Sequence, residues 1–533
     1  MRKTLQNSIL CLVTLLLPAG CHEDEWPAAD NGNGSGDAGS YVTLRIGLAP
    51  KGRSAGPANG EDGDGEEQGI NNENNVYDLT MFVYTSASDR GANDDAGIPV
   101  QTAYYLKNID FRPAAGSSEP FVYRSPVLRV GTLLEEKSRV IVACNMGDLT
   151  HLRTLGEIRD YAVAHPWTEG AGIAGFDRFT MASEDEAALT LRDGMGNRLG
   201  YDEDKPVEID LNVERTAARI DFCANDGAAD DDHLFRYAVR ATPEAAATGE
   251  FHLTHVRPVN VMQQPSRLLK ATADDPVAGV LTYYGRETVD AEGHADNYVV
   301  EPTTPLKTEQ NRADAGLLGS WFGATAAAGE TKPGFFATDY AVAGKKLRTT
   351  NEDGRAVKSY IVGYARENTL PADAVCAEYV TGLALRGTYR PLTVYSACDA
   401  DGNLTQNTAF AEGMTFWRCL KVTETPVEAD ALYFSNEAAA EAYRKVHPES
   451  IWHITKYDGG VCYYNVWIRH ANDDAPSDGP MEYGIVRNNI YRVSISTLTG
   501  PGTPQPDPRG PNGIHSVIYV KKWLLRQEQE LVM

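Results

Sequence analysis

The sequence predicts an all-β chain. It holds 49 Gly, 28 Pro and 26 Tyr among 533 residues, a balance that favours strands and turns over long helices. Several stretches alternate apolar and polar residues with a period of two, the pattern of a strand with one buried face. Helical spacing recurs only in short segments.

In chain order, Arg2 and Lys3 precede an apolar stretch at residues 9–17 and then Pro18-Ala19-Gly20-Cys21. This is a signal peptide over residues 1–20, with an apolar run of about nine residues against the roughly 20 that a spanning helix needs. Residues 26–40 are a polar tether. Val42, Leu44, Ile46 and Leu48 then alternate with polar positions in a clean first strand. Arg53 and Ser54 follow in an exposed polar loop, and a second polar stretch at 57–75 separates the first strand from Tyr77, Leu79, Met81 and Val83. The first strand is thus bracketed by two flexible segments and can leave without tearing the rest. Val127, Leu128, Val130 and Val140 to Val142 supply further strands, and Leu155, Ile158 and Ala162 share a face of a short helix.

Val207, Ile209, Leu211 and Val213 form another alternating strand, running into Arg215-Thr-Ala-Ala-Arg-Ile-Asp-Phe222. The Asp- and Ala-rich break at 224–232 marks a boundary between an N-terminal domain over 54–228 and a C-terminal domain over 229–499. The second domain opens with strands near 237–242 and 251–261, gives weak signals over 271–356, and includes a helix at 437–446 behind Ser435 and Asn436 as capping candidates. Strands follow at 452–454 and 462–470. Near the end, Tyr491, Val493 and Ile495 alternate with Arg492, Ser494 and Ser496 in a strand with one buried face.

A Pro/Gly spacer from residue 500 then leads to residues 514–525, so that spacer and terminal strand occupy 500–533. Ile518, Val520 and Leu524 lie on one face of that strand, and Val517, Tyr519, Trp523 and Leu525 on the other. Both faces call for burial. The expectation is a projecting donor strand, held away from its own domain by the spacer and inserted into another subunit.

The run Met481-Glu-Tyr-Gly-Ile-Val-Arg-Asn-Asn-Ile-Tyr-Arg-Val-Ser-Ile, followed by Gly500-Pro-Gly and a strand ending around Trp523, resembles the C-terminal end of the fimbrillins. These are the type V pilins of Gram-negative anaerobes, and the likeness is greatest to the major subunit of short (minor) fimbriae. The run at 215–222 resembles the end of the fimbrillin N-terminal domain, and the strand at 462–470 is also similar. The resemblance implies two transthyretin-like β-sandwich domains, a structural subunit polymerised by donor-strand exchange and supporting adhesion, and cleavage by an arginine-specific protease after Arg53, leaving Ser54 first. Ala19-Gly20-Cys21 resembles a lipobox, although Pro18 stands where the usual pattern has leucine. It implies a lipidated Cys21, a tether and removable first strand over 21–53, and an anchor in the outer membrane. The implied partners are other copies of the chain in a head-to-tail polymer, accessory anchor and tip subunits, the protease, and host or bacterial surface receptors. Tip or anchor subunit and monomeric glycan-binding lipoprotein are the rival readings.

A net charge of −25 argues against nucleic-acid binding, which needs Lys/Arg clusters. The run Gly170-Ala-Gly-Ile-Ala-Gly175 matches a dinucleotide pattern but lacks the flanking strand and helix that the chemistry requires. No nucleophile elbow, phosphate loop or zinc-protease motif is present, so no catalytic residue and no enzyme activity is expected. His447, His453, Cys462 and His470 are spaced too widely for a zinc site, and Asp230-Asp231-Asp232 lacks the remainder of a calcium loop. No metal and no cofactor is expected. Cys144, Cys223, Cys376, Cys398, Cys419 and Cys462 can be disulfide-bonded or buried thiols.

Overall fold

A computed structural model describes residues 39–47, 66–69, 71–86, 97–109, 123–135, 137–169, 176–183, 187–225, 233–262, 265–269, 282–283, 286–287, 348–352, 355–368, 380–423, 430–470, 483–507 and 513–524. Cys21, Arg53, Ser54, Leu48, Leu525, Cys376, the acidic run at 230–232 and most of 271–356 lie outside them.

Strands are numbered in chain order. The first sheet runs β4 (Val100–Lys107), β3 (Asp78–Thr85), β7 (Ser138–Cys144), β9 (Met181–Ser183), β11 (Val207–Arg215), β1 (Ser40–Gly47) and β5 (Tyr123–Arg124). Off this path, β10 (Ala187–Ala188) pairs with β7, and β6 (Leu128–Val130) with β1. The second sheet runs β18 (Arg348–Glu352), β19 (Arg355–Arg366), β12 (Ala217–Cys223), β27 (Asn489–Leu498), β13 (Arg236–Val239), β14 (Gly249–Val259), β20 (Gly382–Pro391) and β26 (Val461–Trp467). To it are added β28 (Ile514–Leu524), paired with β27, and β2 (Glu66–Gln68), paired with β28. A third sheet runs β22 (Leu404–Gln406), β21 (Tyr395–Cys398), β24 (Leu432–Phe434), β23 (Phe416–Lys421) and β25 (Trp452–Tyr457). Two small ladders join β8 (Ala162–Val163) to β15 (Ser266–Arg267) and β16 (Thr282–Tyr283) to β17 (Arg286–Glu287).

The all-β class therefore stands, and the helices among the described residues are short. In α1 (Leu155–Arg159), the Thr154 hydroxyl accepts the Glu157 amide and the Glu157 carboxylate accepts the Thr154 amide, a reciprocal cap. The helix stops before Ala162, which lies exposed in β8 rather than on the helix face assigned from sequence, because Leu155 and Ile158 alone supply its buried stripe. In α2 (Glu437–Val446), Asn436 is the cap, accepting the Ala439 amide at 2.9 Å. Ala439 and Ala440 turn this helix toward Cys419 and Phe434 of the third sheet.

One contiguous apolar core runs through the first two sheets, from Val42, Leu44 and Ile46 of β1 to Tyr491, Val493, Ile518 and Val520 at the other end of the chain. The chain crosses from β11 in the first sheet to β12 in the second at Thr216. Residues 217–223, read from sequence as the close of the first domain, thus belong to the second sheet, ahead of the break at 224–232.

The terminal strand departs from expectation. β28 does not stand clear of its domain; it lies antiparallel on β27 of its own chain, with Ile518 opposite Val493 and Val520 opposite Tyr491. Ile518 and Val520 are buried in the core, whereas Val517 on the opposite face is 36% exposed and Tyr519 half-buried. A strand with this much apolar surface lowers its exposed area by pairing with the nearest open edge, which β27 supplies; its inner face is covered there, while the opposite face leaves Val517 exposed and buries Lys521.

The described part of the spacer, 500–507, is likewise held rather than free. Tyr463 and Thr503 exchange backbone hydrogen bonds of 2.9 Å, the Tyr464 hydroxyl donates to the Gly500 carbonyl at 2.7 Å, and the Tyr457 hydroxyl donates to the Gly502 carbonyl at 2.9 Å. A Cβ on Gly502 would sit 2.0 Å from the Tyr463 carbonyl oxygen, so glycine is what lets the segment lie flat on β26.

Candidate functional site: the first and last strands

β1 occupies a slot in the first sheet. On one side it pairs parallel to β11, with Val42 opposite Val207, Leu44 opposite Ile209 and Ile46 opposite Leu211. On the other side it pairs antiparallel to β6 through Ser40, Tyr41 and Val42, and to β5 through Arg45 and Ile46. Between β6 and β5, Ser125 bridges the ladder. Its amide donates to the Leu44 carbonyl at 2.9 Å, its hydroxyl accepts the Leu44 amide at 2.9 Å, and its carbonyl accepts the Thr43 hydroxyl at 2.9 Å. Val42, Leu44 and Ile46 are fully buried, as their alternation predicts. Full burial of three such side chains is worth about 5–9 kcal/mol.

On the outer face Arg45 faces Asp210 at 3.3 Å and Glu208 at 3.8 Å, and Arg124 of β5 also reaches Glu208, at 2.8 Å. Exposed pairs of this kind set register more than they stabilise. Gly200, at φ +72°, accepts the Tyr41 amide at 2.9 Å; a Cβ there would meet the Val207 side chain at 2.8 Å and the Tyr41 carbonyl oxygen at 3.1 Å.

The second element is a buried ion cluster beneath the C-terminal strands. Arg219 of β12 donates to Asp221 at 2.9 Å, to Glu73 at 3.1 Å and to Glu67 at 2.6 Å. Arg492 of β27 bonds Glu67 and also Asp221, the latter at 3.3 Å. Arg215 donates to the Glu73 carbonyl at 2.9 Å, to Asn74 at 2.7 Å and to Asn488 at 3.2 Å, while the Tyr364 hydroxyl bonds Glu73 at 2.6 Å. Burial alone would pull Arg219 down, yet Asp221, Glu73 and Glu67 together hold it well above the ordinary arginine range. Arg215, which bonds the Glu73 carbonyl, Asn74 and Asn488, is pushed down to about 9 by burial, with Glu73 opposing the shift. Separately, Arg487 pairs with Glu367 at 2.6 Å and donates to the Leu268 carbonyl at 2.8 Å.

Glu67 belongs to β2, whose backbone runs parallel to the end of β28, Glu67 lying opposite Trp523 and Gln68 opposite Leu524. Its side chain reaches into the ion cluster while its backbone flanks the terminal strand. Sequence reading missed this group. It assigned Arg492 to a polar face by alternation, but segment 66–75 covers that face and Arg492 is fully buried. The available signal was charge inside otherwise apolar strands: Arg219 and Asp221 in one, Arg492 in another.

Of the sequence-assigned residues, Val517, Ile518, Tyr519, Val520, Trp523 and Leu524 all lie on β28; the side chains of Trp523 and Leu524 are outside the described residues. Thr168 and Asp177, on either side of the glycine-rich run 170–175, exchange backbone hydrogen bonds of 2.7 and 3.0 Å; the run itself lies outside the described residues. His447 ends α2, His453 is exposed on β25, Cys462 is buried on β26, and His470 bonds the Tyr491 hydroxyl at 2.9 Å. Among the described residues no three ligating side chains come together, and no helix is long and apolar enough to cross a membrane. Cys144, Cys223, Cys419 and Cys462 are buried, and Cys398 is half-buried.

A search of curated protein sequences finds no significant match. Solved structures with a related outline include a proposed cell adhesion protein of Bacteroides eggerthii, 11% identical, covering 93% of this chain and 99% of that one with a TM-score of 0.38. A fimbrilin of Porphyromonas gingivalis is 12% identical, covering 92% and 99% with a TM-score of 0.36. The tip fimbrial protein Mfa3 of the same organism, with a C-terminal truncation, is 11% identical, covering 91% and 100% with a TM-score of 0.33. These likenesses are too distant to carry an argument about this chain. Residues 455–529 do match the family described as major fimbrial subunit protein type IV, fimbrillin, C-terminal. That span takes in β26, the buried Arg487–Arg492 segment, the spacer and the terminal strand, so the C-terminal part of this chain is similar to the fimbrillins, a family of fimbrial subunits.

Proposed function

We propose that this chain is a fimbrillin stalk subunit, exported as a lipoprotein through Cys21, matured by cleavage after Arg53, and polymerised when the terminal strand of a neighbouring copy replaces β1. The carrying observation is β1 itself: a strand fully buried on its inner face and gripped on both edges, followed in sequence by a polar stretch. Its removal opens an apolar groove between β11 on one side and β5 and β6 on the other, with unpaired backbone groups that a complementary strand will satisfy. β28 is the complementary strand in kind, with Ile518 and Val520 on one face and Val517 and Tyr519 on the other. It must first leave β27. The contact is heterologous, so head-to-tail repetition gives an open filament, to which anchor and tip subunits add ends and through which surface receptors are reached.

The test is deletion of residues 514–533, followed by arginine-specific proteolysis and size-exclusion chromatography. The truncated protein should remain monomeric. Mixed with cleaved full-length protein it should shorten the ladders, since it accepts a strand and donates none; this shows that it is folded. Ladders formed by the truncated protein alone would sink the proposal.

A further inference from the structure

The segment that follows the cleavage loop does not lead into the first sheet. It enters the second, as β2, and there it meets the terminal strand and the ion cluster together. Glu67 is the joint. Its backbone lies in the ladder opposite Trp523, and its carboxylate binds two arginines fixed by the frame of the sheet, Arg219 of β12 and Arg492 of β27. Arg492 is itself opposite Tyr519 in the ladder that holds β28. Glu73, six residues on, binds Arg219 and Tyr364, and Asn74 binds Arg215, so the chain on the far side of Glu67 is also anchored.

We propose that Glu67 is the positioning residue of the terminal strand, an ionic latch that keeps β28 folded back on its own chain after β1 has gone. The cluster sets three arginines (Arg215, Arg219, Arg492) against three carboxylates (Glu67, Glu73, Asp221), and Glu67 is the carboxylate supplied by the β2 ladder. Buried charges hold firmly while every partner is present, and removing one partner leaves the others uncompensated. The latch lies downstream of Arg53 and stays with the subunit after cleavage. Opening the acceptor groove and freeing the donor strand are therefore two separate events: the first is a peptide-bond cut, and the second is the stripping of β2 from β28.

This inference rests on the donor reading of β28 for its consequence, but its physical content can be measured without it. Amide hydrogen exchange on the full chain, uncut, reads the protection of residues 514–524 directly. Glu67→Gln should lower that protection by about tenfold or more, equivalent to roughly 1.4 kcal/mol, while β1 and β11 stay as in the wild type. Glu67→Asp, which keeps the charge but is one methylene short of spanning both arginines, should shift protection in the same direction by less, and serves if the glutamine variant does not fold. After arginine-specific cleavage, the Glu67→Gln protein should polymerise about tenfold faster than wild type, the opposite of what a purely structural loss would produce. Unchanged protection of 514–524 in both variants overturns the latch even if filaments form normally. Lowered protection with no filament from any protein upholds the latch and removes β28 as donor.

Discussion

Leu44→Ala weakens the grip on β1. Leu44 is fully buried opposite Ile209, its amide and carbonyl are bonded to Ser125, and its side chain belongs to the main core. Truncating such a leucine costs about 2–5 kcal/mol, and in the uncut precursor the whole of that loss should appear as lowered stability in a urea titration. In the cut protein the same loss acts differently. β1 is then held only by contacts, of which burial of Val42, Leu44 and Ile46 supplies about 5–9 kcal/mol before backbone bonds. Even the low end, about 2 kcal/mol, speeds its departure by roughly 30-fold if the loss falls on the dissociation rate. Polymerisation of the cleaved variant, followed by chromatography over time, should therefore be faster than wild type although the precursor is weaker. A variant with lowered precursor stability but wild-type or slower assembly would refute the idea that loss of β1 gates the acceptor groove.

Further outcomes follow for the ends of the chain and for acid. Fatty-acid labelling of the precursor should place lipid on Cys21, while amino-terminal sequencing of assembled filaments should begin at Ser54 with no lipid attached; a filament subunit starting at Cys21 contradicts the maturation step. His255 of β14 is pushed down to about 4 by burial and then by neighbouring Arg386, from an ordinary value of 6.5. The folded chain keeps it neutral while the unfolded chain takes a proton below 6.5, so its contribution is complete above that pH and declines as pH falls from 6.5 toward 4. Denaturation midpoints at pH 7 and pH 5 should differ less in His255→Gln than in wild type, and an equal drop in both shows that His255 does not contribute.

What was legible in the sequence was set by local pattern. Val42, Leu44 and Ile46 alternate cleanly, and so do Val207, Ile209 and Leu211; both strands formed with those faces inward, in register with one another. The helix at 437–446 was marked by its cap. Period-two reading failed where the polar face of a strand is itself buried. In β12 every residue is buried, Arg219 and Asp221 included, because a segment about 150 residues upstream supplies Glu67 and Glu73 to meet them. No local pattern encodes a partner at that separation. The spacer was misjudged for a related reason: proline and glycine exclude a ladder but do not exclude docking, and the carbonyls of Gly500 and Gly502 accept tyrosine hydroxyls donated from residues 464 and 457.

The two ends of the chain are sequestered by different physics, and under the proposed exchange this difference matters. The proposed acceptor groove is closed by β1 mainly through apolar burial and a continuous ladder. The terminal strand is closed by β27 on one edge and by β2, an ionic latch, at its end. A strand edge left open in an exported chain invites pairing with the wrong neighbour, and the net charge of −25 provides only a long-range repulsion that salt screens. Pairing β1 on both edges, and β28 with β27 along its length and with β2 at its end, reduces the open edge without relying on that repulsion. It also divides the energetic demand. Under that exchange the entering strand would regain burial of its inner face in the groove, and on its other face it would newly cover Val517, which is 36% exposed in the folded-back form beside the buried Lys521.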